Sequence, residues 1–363
     1  MAGTATSTRL NAIVPPVALA VLVVSLVTHP TGPVLVLPAL ALGAAVLSAV
    51  HHAEVVAHRV GEPFGSLVLA VAVTIIEVGL IVTLMVSGGD DSTTLARDTV
   101  FAAVMITTNG ILGLSLLLTA MRHHTAIFNP EGTGAALATV GTLAALCLVF
   151  PTFTTTRSGP QYSGAQLAFA AIASLVLYGL FVVTQTVRHR DFFLPVDDDG
   201  RPRQEEHADP PSTRETLISL GLLLVSLVTV VGLAKVESPA IESGVRELGF
   251  PQAFVGVVIA LLVLAPETIA AANAARRDRV QISLNLALGS AMASIGLTIP
   301  SLAVATIWLD TPLHLGLGAT QIVLLVLSVV VATLTVVPGR ATRLQGGVHL
   351  VLLAAFLFLS IQP

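Results

Sequence analysis

The sequence predicts an all-α polytopic membrane protein with about eleven transmembrane helices. Of its 363 residues, 54% are hydrophobic and only 10% are charged, whereas a typical soluble domain has about 25% charged residues. The chain therefore has too few charges to cover a soluble globule, so neither a soluble enzyme nor a nucleic-acid-binding protein is expected. The apolar runs are continuous and do not alternate with polar residues, which favours helices over a transmembrane barrel.

Individual spans follow from the rule that a helix needs roughly 20 apolar residues to cross a bilayer. The first apolar run lacks a convincing cleavage site, so we interpret it as a retained helix. The predicted spans are 12–28, 34–57, 63–87, 99–120, 134–152, 165–187, 216–234, 250–272, 282–308, 315–337 and 344–361.

Basic residues indicate the orientation of these spans. With a cytoplasmic N-terminus, 13 of the 17 Lys and Arg residues fall in cytoplasmic segments. This bias matches the positive-inside rule, which a wrongly counted span would disturb. We therefore expect a multi-pass protein of the plasma or inner membrane with its N-terminus in the cytoplasm.

An internal repeat is the most informative pattern in the sequence. A glutamate followed by six residues, Gly, one residue and Pro begins at Glu54 and again at Glu242. Downstream of the two glycines, by 16 and 18 residues, a single carboxylate interrupts an apolar run, at Glu77 and at Glu267. An Arg-Asp pair then opens the next span in both halves. Three matches in the same order indicate that the two halves are related.

The repeat divides the chain into four parts. Residues 1–32 form an extra N-terminal helix, 33–188 the first repeat, 189–215 a polar acidic linker and 216–363 the second repeat. Because each repeat has five spans, the two insert in opposite orientations, which is typical of secondary transporters with a binding site near the midplane. We interpret the linker as a solvated cytoplasmic segment, and its role stays open.

The paired glutamates Glu77 and Glu267 are the strongest functional signal. A carboxylate deep in a membrane costs about 2.5–3.5 kcal/mol on insertion scales. No Lys or Arg lies deep in a span to pair with them, so each must be protonated or hold a cation. Two carboxylates that alternate between these states could exchange cations for protons. The plainer alternative is a pair of protonated glutamates that only hydrogen-bond between helices.

Neighbouring oxygens indicate a hard cation such as Ca²⁺, which takes 6–8 oxygen ligands. Thr74, Asn109 and Ser290 could add side-chain oxygens to the two glutamates, and Pro266 could free backbone carbonyls beside Glu267. The single cysteine and the lack of a histidine near mid-span argue against zinc or copper. We expect no resident cofactor, because Ca²⁺ and protons would be cargo.

The second symmetric pair, Glu54 and Glu242, would lie at opposite faces of the membrane as entrance carboxylates for cations or protons. An exposed charge at a helix end is an equally good interpretation of Glu242. His51, Glu54 and His58 share one helical face, so a metal or pH-sensing site is conceivable there. Histidines are also common at helix C-termini, where the dipole favours them.

These residues resemble the calcium/cation antiporter superfamily, in particular bacterial calcium/proton antiporters of the ChaA type. The resemblance covers nearly the whole chain and is strongest over 61–85 and 250–300, which look like the two α-repeats of that family. The stretches at 61–65 and 283–290 look particularly like the ChaA branch. Glu77 and Glu267 fall at the glutamate of the family motif, while Val-Thr and Val-Leu replace its Gly-Asn.

The resemblance implies an alternating-access exchanger that couples inward proton flow to export of Ca²⁺, with Na⁺ or K⁺ also carried. Two alternatives stay open, a Na⁺(K⁺)/H⁺ antiporter with little Ca²⁺ transport and a passive cation channel that uses the same carboxylates. An enzyme is not expected. The predicted partners are the lipid bilayer and the transported ions, without nucleic acid, and the oligomeric state is left open.

Overall fold

The computed structural model describes residues 2–62, 64–87, 93–196, 210–308 and 312–363. Residues 197–209 of the predicted linker at 189–215 lie outside the described residues. The described chain is almost entirely helical. Its only strands are β1 (Thr125–Ile127) and β2 (Arg340–Thr342), which pair antiparallel and join two interhelical loops.

The first half of the chain contains eight α-helices, three of which continue into short π-helical segments at Ile106–Ile111, Ala145–Val149 and Thr184–Arg188. The helices are α1 (Ala2–Thr28), α2 (Val36–Val60), α3 (Phe64–Ser87), α4 (Leu95–Met105), α5 (Leu112–His123), α6 (Pro130–Ala144), α7 (Phe150–Phe153) and α8 (Gly164–Val183). Two 3₁₀ turns, Gly32–Leu35 and Arg190–Phe193, precede α2 and follow α8.

The second half contains seven α-helices, including the longest in the protein. They are α9 (Thr213–Glu247), α10 (Phe254–Val263), α11 (Ala265–Arg276), α12 (Val280–Gly296), α13 (Thr298–Ala305), α14 (Ala319–Val336) and α15 (Arg343–Ile361).

The count of membrane spans agrees with the prediction. Among the described residues, ten helices are long and apolar enough to cross a bilayer, and the bent pair α10–α11 makes an eleventh span. The predicted span at 250–272 corresponds to this bent pair, and Pro266, where a disturbed helix was expected, lies at the bend. The chain bends by 54° between α10 and α11, because Pro266 cannot donate an N–H to the carbonyl of Leu262, four residues earlier.

Alternation of the spans places most arginines at one end of the bundle, which we call the arginine-rich side. The junctions on this side are α2–α3, α5–α6, α11–α12 and α14–α15. The π-helical segment that follows α8 also ends on this side. Arginines at these places include Arg59, Arg122, Arg188, Arg276 and Arg343.

Two glycines matched by the repeat have the same backbone conformation. Gly61 ends α2 with φ of +72°, and Gly249, just after α9, has φ of +74°. This left-handed region suits glycine because it has no Cβ. Gly61 is followed by α3, which carries Glu77, and Gly249 by α10, which leads into the helix that carries Glu267.

The core brings the helices of the two halves together. The helix α9 packs along α2 and α3, α1 covers α2 and α9, and α10 packs on α4. The approach of α3 to α9 is very close at Gly79, where an added Cβ would lie 2.6 Å from a methyl group of Val231. The helices α3, α11 and α12, which carry Thr74, Glu77, Glu267 and Ser290, each pack against helices of the other half.

Candidate functional site

Glu77 is held in one orientation by the second half of the chain. Its side chain lies on α3 and is 2% exposed. Its Oε2 accepts hydrogen bonds from Ser294 Oγ on α12 (3.0 Å) and from Thr298 Oγ1 at the start of α13 (2.9 Å). Its Oε1 is buried and has no hydrogen-bond partner among the described residues. Buried polar atoms are normally paired, so this oxygen can take a ligand or a proton.

Glu267 occupies the first turn of α11, directly after the bend. The side chain is 6% exposed, and its Oε2 is likewise buried without a partner in the described part of the chain. The N-terminus of a helix favours a negative charge. Because Pro266 leaves the carbonyl of Leu262 without its helical donor, the bend also offers a backbone oxygen nearby.

The two glutamates lie close enough to interact. Glu77 and Glu54 both act electrostatically on Glu267. Thr74, one turn before Glu77, has a buried Oγ1 that no described residue bonds. Neither Glu77 nor Glu267 takes part in the ion pairs found among described residues, Arg97–Asp98 and His123–Asp278. The site therefore contains three unpaired oxygens and two uncompensated carboxyl groups.

Ser290 belongs to the surroundings of Glu267. It lies one to two turns before Ser294 on α12 and lines a cavity of about 230 Å³ that reaches Glu267. Among the residues predicted to bind the cation, the structure thus places Thr74 beside Glu77 and Ser290 near Glu267.

Asn109 is not joined to the glutamate pair. It lies in the π-helical segment after α4, where its Oδ1 accepts from Nδ1 of His349 (3.1 Å) and its Nδ2 donates to Ser328 Oγ (2.9 Å). Oδ1 can only accept, so His349 must be the donor. The amide is therefore engaged with α14 and α15, and the expectation that Asn109 is a cation ligand receives no support from this geometry.

His349 was not predicted as a functional residue. It lies six residues inside α15 and is fully buried, and its Nε2 lies 3.2 Å from Thr335 Oγ1. Because the middle of α15 is only three residues further on, the expectation that no histidine lies near mid-span was wrong. Gly346, one turn earlier on α15, approaches the backbone of α5 closely. Gly346 is therefore the residue in the sequence that indicates that this face of α15 packs against α5.

Glu54 lies on an exposed face of α2 together with His58. The neighbouring His52 instead points inward, where its Nε2 lies 3.1 Å from the carbonyl of Asn11. Within the described ranges no three His, Cys, Asp or Glu side chains group closely enough to hold a metal ion. The possible metal site at His51, Glu54 and His58 is therefore not formed, whereas Glu54 remains close to Glu267.

The predicted external partner, Glu242, is half-buried and accepts a weak hydrogen bond from Ser238 Oγ (3.3 Å). A deeper carboxylate was missed at Glu237, which is 4% exposed and has an unpaired buried Oε1. The predicted span ended at residue 234 because Lys235 marks a drop in hydropathy. The helix α9 continues to Glu247 and so carries Glu237 inside the bundle.

Comparison with known proteins finds relatives over most of the chain. A family model described as sodium/calcium exchanger protein matches residues 32–187 and 218–362. The putative ionic transporter y4hA of Sinorhizobium fredii is 48% identical over 326 residues, or 89% of this chain and 87% of that protein. The sodium-potassium/proton antiporter ChaA of Escherichia coli is 36% identical over 310 residues, covering 85% and 84%.

Solved structures share the fold at low sequence identity. The H⁺/Ca²⁺ exchanger CAX superposes with a TM-score of 0.72 at 17% identity, covering 97% of this chain and 88% of that one. Native YfkE superposes with a TM-score of 0.71 at 17% identity, covering 97% and 99%. The predicted resemblance is confirmed, and the chain belongs to the sodium/calcium exchanger family of membrane cation antiporters, in its ChaA branch.

Proposed function

We propose that this protein is a secondary transporter that exports a hard cation from the cytoplasm in exchange for external protons. Na⁺ and K⁺ are the first candidates for the cation, because a relative of 36% identity is named as a sodium-potassium/proton antiporter. Ca²⁺ is the second candidate, because two carboxylates together could balance a divalent charge. The observation that carries the proposal is the buried pair Glu77 and Glu267, each with one oxygen that no described residue bonds.

The exchange follows from the charge balance of this pair. Two buried carboxylates without a basic partner cannot both stay ionised in a low-dielectric interior. They are stable with two bound protons, with one divalent cation or with monovalent cations. Because cations and protons need the same oxygens, binding of one releases the other. Alternating exposure of the pair to the two sides would then couple the two flows.

The described oxygens do not complete a coordination shell for Ca²⁺. Ca²⁺ takes 6–8 oxygens, whereas the described residues offer the two glutamates, Thr74, Ser290 near Glu267 and a backbone carbonyl at the bend. The Asn109 amide is engaged elsewhere. Water would have to complete a Ca²⁺ shell. We propose no resident cofactor, since the cations are cargo, and a cytoplasmic N-terminus on the arginine-rich side.

The test uses inside-out vesicles with an acidic interior and a pH-sensitive dye. Na⁺, K⁺ and Ca²⁺ are added separately, and cation-dependent proton release ranks the three ions. Glu77→Gln and Glu267→Gln should each abolish release. Glu131→Gln, which changes an exposed carboxylate at the start of α6, is the matched control and should behave like the wild type.

Two outcomes would contradict the proposal. Cation flux that is not accompanied by proton movement would indicate a passive channel that uses the same carboxylates. Substantial exchange in both glutamine variants, at normal amounts of membrane-inserted protein, would show that the pair is not the exchange site.

A further inference from the structure

Glu267 also lines a cavity to which neither Glu77 nor Thr74 contributes. It measures about 230 Å³ and lies between α3, α8 and α12. Most of its wall is apolar. Its polar lining residues are Ser66, Tyr178, Gln185, Asn285, Ser290 and Glu267.

The cavity extends from the arginine-rich side towards the middle of the bundle. Ser66 lies in the first turn of α3, Gln185 lies just beyond the end of α8, and Asn285 is the sixth residue of α12. All three positions are near helix ends on that side. Ser290 and Glu267 lie deeper. The polar groups are therefore arranged along a path that ends at one member of the glutamate pair.

An acidic residue stands beside the outer end of this path. Glu62, which is exposed, accepts a hydrogen bond from Ser66 through Oε2 (2.8 Å), and it acts electrostatically on Tyr178 in the cavity wall. Between Glu62 and Glu267, the lining offers hydroxyl and amide groups but no charged side chain from the described residues. The wall between the two carboxylates is thus neutral.

Glu54 acts on Glu267 without lining this cavity. That carboxylate lies on α2, which contributes no described residue to the cavity lining, and it acts electrostatically on Glu267. The carboxyl group of Glu267 therefore has two different surroundings. One contains the exposed carboxylate of Glu54, and the other is the cavity, which offers water-sized space lined by neutral hydroxyl and amide groups.

These two environments suit different ions. A metal cation that enters a neutral, mostly apolar passage loses water without gaining a counter-charge, which is unfavourable. A proton can instead move along water and hydroxyl groups, each of which both donates and accepts hydrogen bonds. We infer that the cavity between α3, α8 and α12 is a proton path to Glu267, separate from the approach of the cation past Glu54. This inference rests on the proposed exchange function.

The test narrows the cavity and compares two transport modes. Val182 on α8 lines the cavity and is 6% exposed, whereas Val176 on the same helix is 54% exposed and lies outside the lining. Val182→Phe should slow cation/proton exchange by about tenfold or more, because it obstructs the passage. Exchange of labelled cation for unlabelled cation needs no proton transfer and should stay near the wild-type rate. Val176→Phe should change neither mode.

Every other result for a folded Val182→Phe protein overturns the inference. If both modes slow together, the cavity also carries the cation. If neither slows, the cavity is not a transport path. Ala293→Leu narrows the same cavity from α12 and replaces Val182→Phe if that variant does not reach the membrane. A wild-type protein without either exchange mode would contradict the proposed function itself, so the two failures are distinguishable.

Discussion

The hydroxyl group of Thr298 provides a quantitative test of how Glu77 binds a cation. Thr298→Val keeps the shape of the side chain but removes one of the two hydrogen bonds that Oε2 of Glu77 accepts. A hydrogen bond to a charged group contributes about 1.5–3 kcal/mol, and one between neutral groups about 0.5–1.5 kcal/mol. The bond therefore stabilises the ionised, cation-binding form over the protonated form by about 1–2 kcal/mol.

Removal of this bond should weaken cation binding by about 5–30-fold at constant pH, since 1.4 kcal/mol corresponds to a factor of ten. The measurement is the cation concentration for half-maximal proton release, supported by calorimetric titration of purified protein. Thr229→Val is the matched control, because Thr229 is also buried but donates only to the carbonyl of Val225 in its own helix (2.7 Å). Unchanged cation affinity in Thr298→Val would refute the assignment of Thr298 as a positioning residue for Glu77.

Three further predictions concern the pair and its surroundings. Acidification of the cytoplasmic side should inhibit cation export, because protons compete for Glu77 and Glu267, and a flat response between pH 6 and pH 8 would argue against shared oxygens. His349→Leu should lower the free energy of unfolding by about 1–3 kcal/mol, because it leaves the buried Oδ1 of Asn109 unpaired. Cation affinity should not change. A large loss of affinity would indicate that Asn109 contributes to cation binding after all. Gly79→Val should lower the melting temperature, because its Cβ would meet Val231 and overpacking costs about 1–3 kcal/mol. Gly43→Val is the control and should have little effect, because an added Cβ at Gly43 meets no atom within 4 Å.

The position of a residue along a helix was easier to predict than the direction in which it points. Span lengths placed Glu77 and Glu267 inside the membrane, and the structure finds both buried. The same reasoning did not reveal that Asn109 faces α14 and α15 and not the glutamates. Hydropathy reports depth in the bilayer, whereas the facing direction depends on which helices pack around a side chain.

Local deviations from regular helix were also hard to predict. Pro266 indicated a disturbed hydrogen-bond pattern, but the size of the bend depends on the packing of both half-helices. The end of α9 was placed too early, because Lys235 lowers the local hydropathy even though its side chain is exposed. As a result, Glu237 was excluded from the span that carries it.

The sequence by itself determined the class of the protein, the number of its spans and the two central carboxylates. These follow from local properties, since a chain in a bilayer must satisfy its backbone groups within each helix and hides charges only at a high free-energy cost. Only the tertiary structure decided which side chains hold those carboxylates. The two hydroxyl groups that orient Glu77 are 217 and 221 residues away in the chain, so they become its partners only through the packing of one half of the protein against the other.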